Sequence, residues 1–77
     1  MKAVVWSKPS CTFCEQAKIL LKMKGIEYEE RNIAGPTWSK EDLFEVLPEA
    51  RTLPQIYIDD NHIGGFVELR QYLQEAV

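Results

Sequence analysis

The feature that most restricts the fold is a pair of cysteines, Cys11 and Cys14, set between a short apolar run and the first stretch of helical periodicity. A structural disulfide stabilises chiefly by closing a long loop in the unfolded chain, and this pair closes almost none. Stapling is therefore not its use. In a reducing compartment the spacing points to redox chemistry or to metal binding. A closed zinc site wants four ligands, and only Cys11, Cys14 and a distant His62 are on offer, so no metal is expected.

The residues around the pair fix the local structure. Ala3 to Trp6 is short, apolar and partly β-branched, which suits a buried strand. Ser7-Lys8-Pro9-Ser10 breaks it, since Pro9 has no N–H for a ladder. A helix is predicted from near the cysteines to about Lys24, with Ala17, Leu20, Leu21 and Lys24 at i, i+3, i+4 and i+7, Lys24 at the rim of the buried stripe, and Gly25 as its stop. Ile26 to Ile33 reads as a second strand with one wet face. After the turn Ala34-Gly35-Pro36-Thr37, Ser39 to Asp42 resembles a capping box. The helix that follows shows an apolar stripe of Leu43, Phe44 and Leu47 and ends before Pro48. Gln55 to Ile58, the turn Asp59-Asp60-Asn61 and the strand His62-Ile63 predict an antiparallel hairpin closed by Gly64-Gly65. Glu68 to Val77 is an amphipathic helix, with Leu69, Tyr72, Leu73 and Ala76 on one face. Trp6, Tyr28, Phe44, Tyr57 and Tyr72 are read as packing.

The order is a βαβ unit followed by a ββα unit. It predicts an α/β protein with a four-stranded mixed sheet and about three flanking helices. A CxxC just after the first strand of a βαβ pattern is the sign of a thioredoxin-like fold. The chain's 77 residues are read as one domain, 1–77. So short a chain buries only ~60% of its unfolded surface, so a substrate must sit in a surface groove made largely of backbone. The net charge is −3 with no dense cluster of Lys or Arg, which argues against nucleic acid or an anionic membrane as partner. The apolar run at the N-terminus is too short for a signal peptide or a membrane span, so a cytoplasmic location is expected.

Four segments carry a family resemblance: Lys8-Pro9-Ser10-Cys11-Thr12-Phe13-Cys14, Arg51-Thr52-Leu53-Pro54-Gln55, His62-Ile63-Gly64-Gly65-Phe66 and Glu68-Leu69. In this order and at this length they make the chain resemble the short glutaredoxins of bacteria and phages over nearly its whole length. The resemblance implies a glutathione-dependent disulfide oxidoreductase, monomeric, with glutathione as co-substrate. It would reduce disulfide-containing or glutathionylated proteins, ribonucleotide reductase among the plausible ones. Two departures stand out. The family commonly has Pro-Tyr where this chain has Thr12-Phe13, which should alter redox poise and the polar edge of the groove. It commonly has acidic or hydroxylated residues where this chain has Val67 and Glu68, which should weaken the hold on glutathione's amino group.

Cys11 is the proposed nucleophile. A helix N-terminus favours its thiolate through free N–H groups and the helix dipole, with Lys8 as a nearby positive charge. A lowered thiol pKa adds little to attack, because nucleophilicity falls with basicity, but it makes Cys11 a good leaving group in the step that recycles it. Cys14, one turn deeper, would resolve mixed disulfides, or would simply be a small core residue. Leu53-Pro54 resembles the cis-proline turn of the fold. There Leu53 would offer its backbone to the cysteinyl part of glutathione with Thr52 beside it, whereas a trans bond is commoner for X-Pro in general. Gly65, with Phe66, Val67 and Glu68, would receive the γ-glutamyl end; a bulge at the glycines is the plain alternative. Lys8, Arg51 and Gln55 are candidates for the glycyl carboxylate, each with a bland alternative as an exposed polar side chain. Phe13 would wall the groove, and Glu68 would meet the ligand's ammonium or favour a helix start.

Two rivals remain in the sequence. One is a redoxin that serves ribonucleotide reductase and is recharged by thioredoxin reductase. Such proteins usually carry Trp-Ser-Gly-Phe where this chain has Ile63-Gly64-Gly65-Phe66, so the glycine pair favours glutathione. The other is a [2Fe–2S] carrier holding the cluster between two chains, made more thinkable by the missing proline after Cys11.

Overall fold

The computed structural model describes residues 1–75. Its architecture follows from the alternation along strand β1 (Lys2–Ser7). Successive side chains of a strand point to opposite faces. Ala3 and Val5, both fully buried, therefore face the main core, and Val4 and Trp6 face the other side. Helix α1 (Thr12–Met23) crosses over to β2 (Glu27–Asn32), which lies parallel to β1 with Ala3 opposite Tyr28 and Trp6 opposite Arg31. Helix α2 (Lys40–Val46) leads to β3 (Gln55–Ile58), which runs antiparallel to β1 with Val5 opposite Ile56. A hairpin continues into β4 (Asn61–Gly64), and α3 (Phe66–Glu75) closes the described chain. The sheet order β2-β1-β3-β4 and these three helices make the βαβ plus ββα arrangement of the thioredoxin-like fold.

Local chemistry sets the boundaries. Gly25 adopts φ 69°, and the N–H groups of Gly25 and Ile26 return to the carbonyls of Lys22 and Leu21, a Schellman stop for α1. At the start of α2, Ser39 Oγ accepts from the Asp42 N–H (3.3 Å) and Asp42 Oδ2 accepts from the Ser39 N–H (2.8 Å), the reciprocal box expected there. The hairpin turn is Asp59-Asp60, with φ 50° and 68°, the left-handed geometry that matches the twist of paired strands.

The core gathers Ala17 and Leu21 of α1, Leu69 and Leu73 of α3, and Ala3, Val5, Ile56 and Ile58 of the sheet. The opposite face is closed differently. Trp38 packs edge-on against Trp6 (5.4 Å), and the Arg31 guanidinium lies 4.2 Å over Trp38 and 5.1 Å over Trp6. Several expectations need correction. Phe44 and Tyr72 are each 41% exposed rather than packed, because α2 buries Leu43 and α3 buries Leu69 and Leu73, leaving the flanking aromatics at the rim. Lys24 lies exposed at the rim of the α1 stripe, as the sequence suggests, and buried Cys14 heads that stripe. Helix α3 begins two residues before the expected Glu68. The expectation that it runs through Ala76 to Val77 lies outside the described residues.

Candidate active site: a disulfide between two grooves

The loop leaving β1 turns through Ser10, at φ 56°, and delivers Cys11 as the N-cap of α1. The cap position normally holds an acceptor for the free N–H groups of the first turn. Here the acceptor is sulfur: the Cys14 N–H donates to Cys11 Sγ at 3.2 Å. A disulfide joins Cys11 to Cys14, whose Cα atoms are 5.2 Å apart. Burial separates the two sulfurs. Cys14 is fully buried, whereas Cys11 is partly exposed. A reagent from solvent therefore reaches Cys11 first.

Leu53 stands against the same sulfur, with its carbonyl oxygen 3.7 Å from Cys11 Sγ, and its bond to Pro54 is cis. Beside it runs an open trough of about 270 Å³. Thr52, Leu53 and Pro54 line one side, and Gly65, Phe66, Val67 and Glu68 the other. Phe13 lines it too; its ring is 56% exposed and stacks on Phe66 at 5.9 Å. The volume is near the lower end for ligand sites, and the walls combine aromatic rings with backbone. Eight of the eleven ligand-contact candidates thus meet in one place.

The remaining three do not. Lys8 and Arg51 line a neighbouring groove of about 250 Å³ that shares Thr52 and Leu53 with the trough. Gln55 lines neither. It is buried, its Nε2 donates to the Thr52 carbonyl (2.9 Å), and its Oε1 lies 2.8 Å from His62 Nε2. Its amide is occupied within the fold and braces the loop that carries Thr52 and Leu53. Glu68 is engaged through one oxygen only: Oε1 accepts from the Gly65 N–H at 2.8 Å and caps α3 over the glycine pair. Gly64 adopts φ 120°, a backbone conformation that L side chains rarely take, and a Cβ there would also stand 3.0 Å from Glu68 Cγ.

A polar cluster that sequence reasoning missed lies where β1 ends. Buried Ser7 donates from Oγ to Glu30 Oε2 (2.7 Å), and Lys18 Nζ reaches the same oxygen (2.9 Å) and Glu15 Oε2 (2.7 Å). Partial burial alone would raise the Glu30 pKa, but the hydrogen bonds from Lys18 and Ser7 and the Lys18 charge hold it below the ordinary carboxylate value. Burial would lower Lys18, and its bonds to Glu15 and Glu30 with their charges raise it instead. A lowered carboxylate pKa contributes stability that is full above the unfolded value and is lost as pH falls through the folded one. Denaturant midpoints are therefore expected to fall on acidification below the ordinary Glu range in wild type, and less steeply in Glu30→Gln. Parallel curves for the two proteins would remove Glu30 from the account. No single residue signals this cluster, because its members sit on three separate elements.

The sequence profile described as Glutaredoxin matches residues 3–63. The chain belongs to the glutaredoxin family. It is similar to glutaredoxin 3 of Escherichia coli strain K12, 37% identical over 65 residues that cover 84% of this chain and 77% of that one. Among solved structures it resembles glutaredoxin 1 of Francisella tularensis, with TM-score 0.80 and 27% identity over 97% of this chain and 94% of that one. A buckwheat glutaredoxin–glutathione complex also superposes with TM-score 0.80, at 25% identity over 96% and 69% of the two chains. As a glutaredoxin, the chain is a thiol–disulfide oxidoreductase with a redox-active disulfide. Among the described residues no group of three or more His, Cys, Asp or Glu is placed to hold a metal ion, and no helix is long and apolar enough to cross a membrane.

Proposed function

We propose that this glutaredoxin is glutathione-dependent, reducing protein disulfides and glutathione mixed disulfides with Cys11 as nucleophile and Cys14 as resolving thiol. The observation that carries this is the pairing of one accessible sulfur with the trough beside it, the second sulfur being sealed beneath.

In the reduced protein the Cys14 N–H and the positive end of the α1 dipole favour the thiolate form of Cys11. It attacks one sulfur of a substrate disulfide; a new S–S bond forms to Cys11 and the other half leaves as thiolate. With a protein substrate, the Cys14 thiolate then attacks Cys11, releasing the second thiol and leaving the Cys11–Cys14 disulfide. Two glutathiones supply the two electrons that reduce it and leave as glutathione disulfide. The trough holds the tripeptide during exchange. Leu53 pairs with its cysteinyl backbone, the glycine pair and Glu68 receive the γ-glutamyl end, and Lys8 and Arg51 face the glycyl carboxylate. Gln55 acts through Thr52 rather than on the ligand. Likeness to a glutaredoxin solved with glutathione supports the same reading.

The protein substrates lie in the cytoplasm, and ribonucleotide reductase is one that fits. An assay with hydroxyethyl disulfide, glutathione and glutathione reductase tests the proposal. Steady turnover of NADPH is expected. Turnover with thioredoxin reductase and none with glutathione would contradict it.

A further inference from the structure

Thr52 and Leu53 belong to two cavities at once. The groove on the far side from Glu68 has Lys8, Lys40 and Arg51 on its rim and no carboxylate in its lining. Among the described residues none of these cations is held in an ion pair. In a chain of net charge −3, three unpaired cations around one groove form a local field of the opposite sign. The floor is apolar: Leu43 is buried beneath it, and Phe44 lines it with its side chain still 41% exposed. An aromatic held open inside a charged rim is the composition of a recognition surface, not of a solvated face.

We propose that this groove docks protein substrates on the C-terminal side of their reacting cysteine and selects segments that carry acidic residues and an apolar side chain. The inference rests on the glutathione orientation above. With the γ-glutamyl end at Glu68 and the glycyl end at Lys8 and Arg51, the chain direction runs from the trough across Leu53 into the groove. Glutathione stops at its glycine. A protein continues, and its next residues meet Lys40 and Phe44. Acidic side chains there complete the charge pairs, and an apolar one covers Phe44. Complementary charge of this kind acts mainly on encounter and selectivity.

Three symmetric peptide disulfides separate the possibilities: Asp-Glu-Phe after the cysteine, the same residues before it, and Lys-Lys-Phe after it. Each takes two electrons from glutathione through Cys11 and Cys14 and yields two peptide thiols. The first is expected to show kcat/KM roughly 5- to 20-fold above the other two at low salt, a margin that shrinks at about 0.5 M salt. Lys40→Glu should cut its advantage by several fold, and Phe44→Ala should raise KM for both peptides with Phe after the cysteine. Lys40 opens α2, where a carboxylate is tolerated, and Phe44 is exposed, so both variants are expected to fold and to turn over hydroxyethyl disulfide as wild type does. Equal kcat/KM for the three peptides, or a Lys40→Glu profile identical to wild type, would overturn the proposal. Failure of the glutathione reading would register separately, as wild type unable to turn over hydroxyethyl disulfide with glutathione.

Discussion

Cys11→Ser is expected to lose glutathione-coupled activity by at least about 10³-fold on every substrate, because the reacting atom is removed and no neighbouring sulfur takes its place. Cys14 is fully buried and its sulfur has no path to a substrate in solution. Serine at position 11 also keeps an N-cap acceptor for the Cys14 N–H, so the fold should persist and the loss should be chemical. Cys14→Ser is expected to behave differently. A glutathione mixed disulfide needs only Cys11, since a second glutathione attacks the Cys11 adduct directly. A protein disulfide needs the resolving step, and without it the Cys11–protein adduct should accumulate. Initial rates on hydroxyethyl disulfide and on an intramolecular peptide disulfide, measured for both variants, distinguish these roles. Activity that survives Cys11→Ser and vanishes in Cys14→Ser would reverse the assignment.

Leu21→Ala is expected to lower stability by about 2–5 kcal/mol, as deletion of a well-packed core leucine does. Leu21 is fully buried where α1 lies over the sheet, in one cluster with Ile56, Leu69 and Leu73. It also supplies the carbonyl that accepts the Ile26 N–H at the helix stop, a bond that alanine keeps, so the loss reads packing alone. A chain of this size has a small total to draw on, and Tm should fall by roughly 10–20 °C or more. The neighbouring Lys22→Ala, exposed on the same helix, should stay within about 0.5 kcal/mol. Thermal unfolding of both variants checks this, and a Leu21→Ala midpoint within 3 °C of wild type, well short of the roughly 4–8 °C that one kcal/mol moves a small domain, would be incompatible with the core described.

The parts of the fold legible in the sequence were those written in local periodicity and punctuation. Ala17 and Leu21 announce the buried side of α1, Gly25 its end, Ser39 and Asp42 the start of α2, and Asp59-Asp60 the hairpin. Phe44 and Tyr72 misled because hydrophobicity marks a helix face without fixing its width. How far a stripe is covered depends on neighbours that only the folded chain supplies. The disulfide and the residues lining its trough were nameable because each lies in a short motif. Which of two possible roles each side chain takes there was not. Gln55 is taken up by Thr52 and His62, Glu68 caps its own helix, and Arg31 is held between Trp6 and Trp38. The bonds of Gln55 and Glu68 are short in sequence, and residue type alone leaves them open against a ligand role. Arg31 and its two tryptophans come from separate stretches of chain, so no window of sequence contains that contact. The basic groove beyond Leu53 joins Lys8, Lys40 and Arg51 from three loops and helix ends, and it was invisible for the same reason.

The alkylation rate of reduced Cys14→Ser by iodoacetamide, followed from pH 3 to pH 10, reports the ionisation of a single thiol. The α1 terminus should make Cys11 reactive already in mildly acidic solution, with a midpoint clearly below that of an unperturbed cysteine. A midpoint at or above the unperturbed one would mean that the helix start does not hold the sulfur charged.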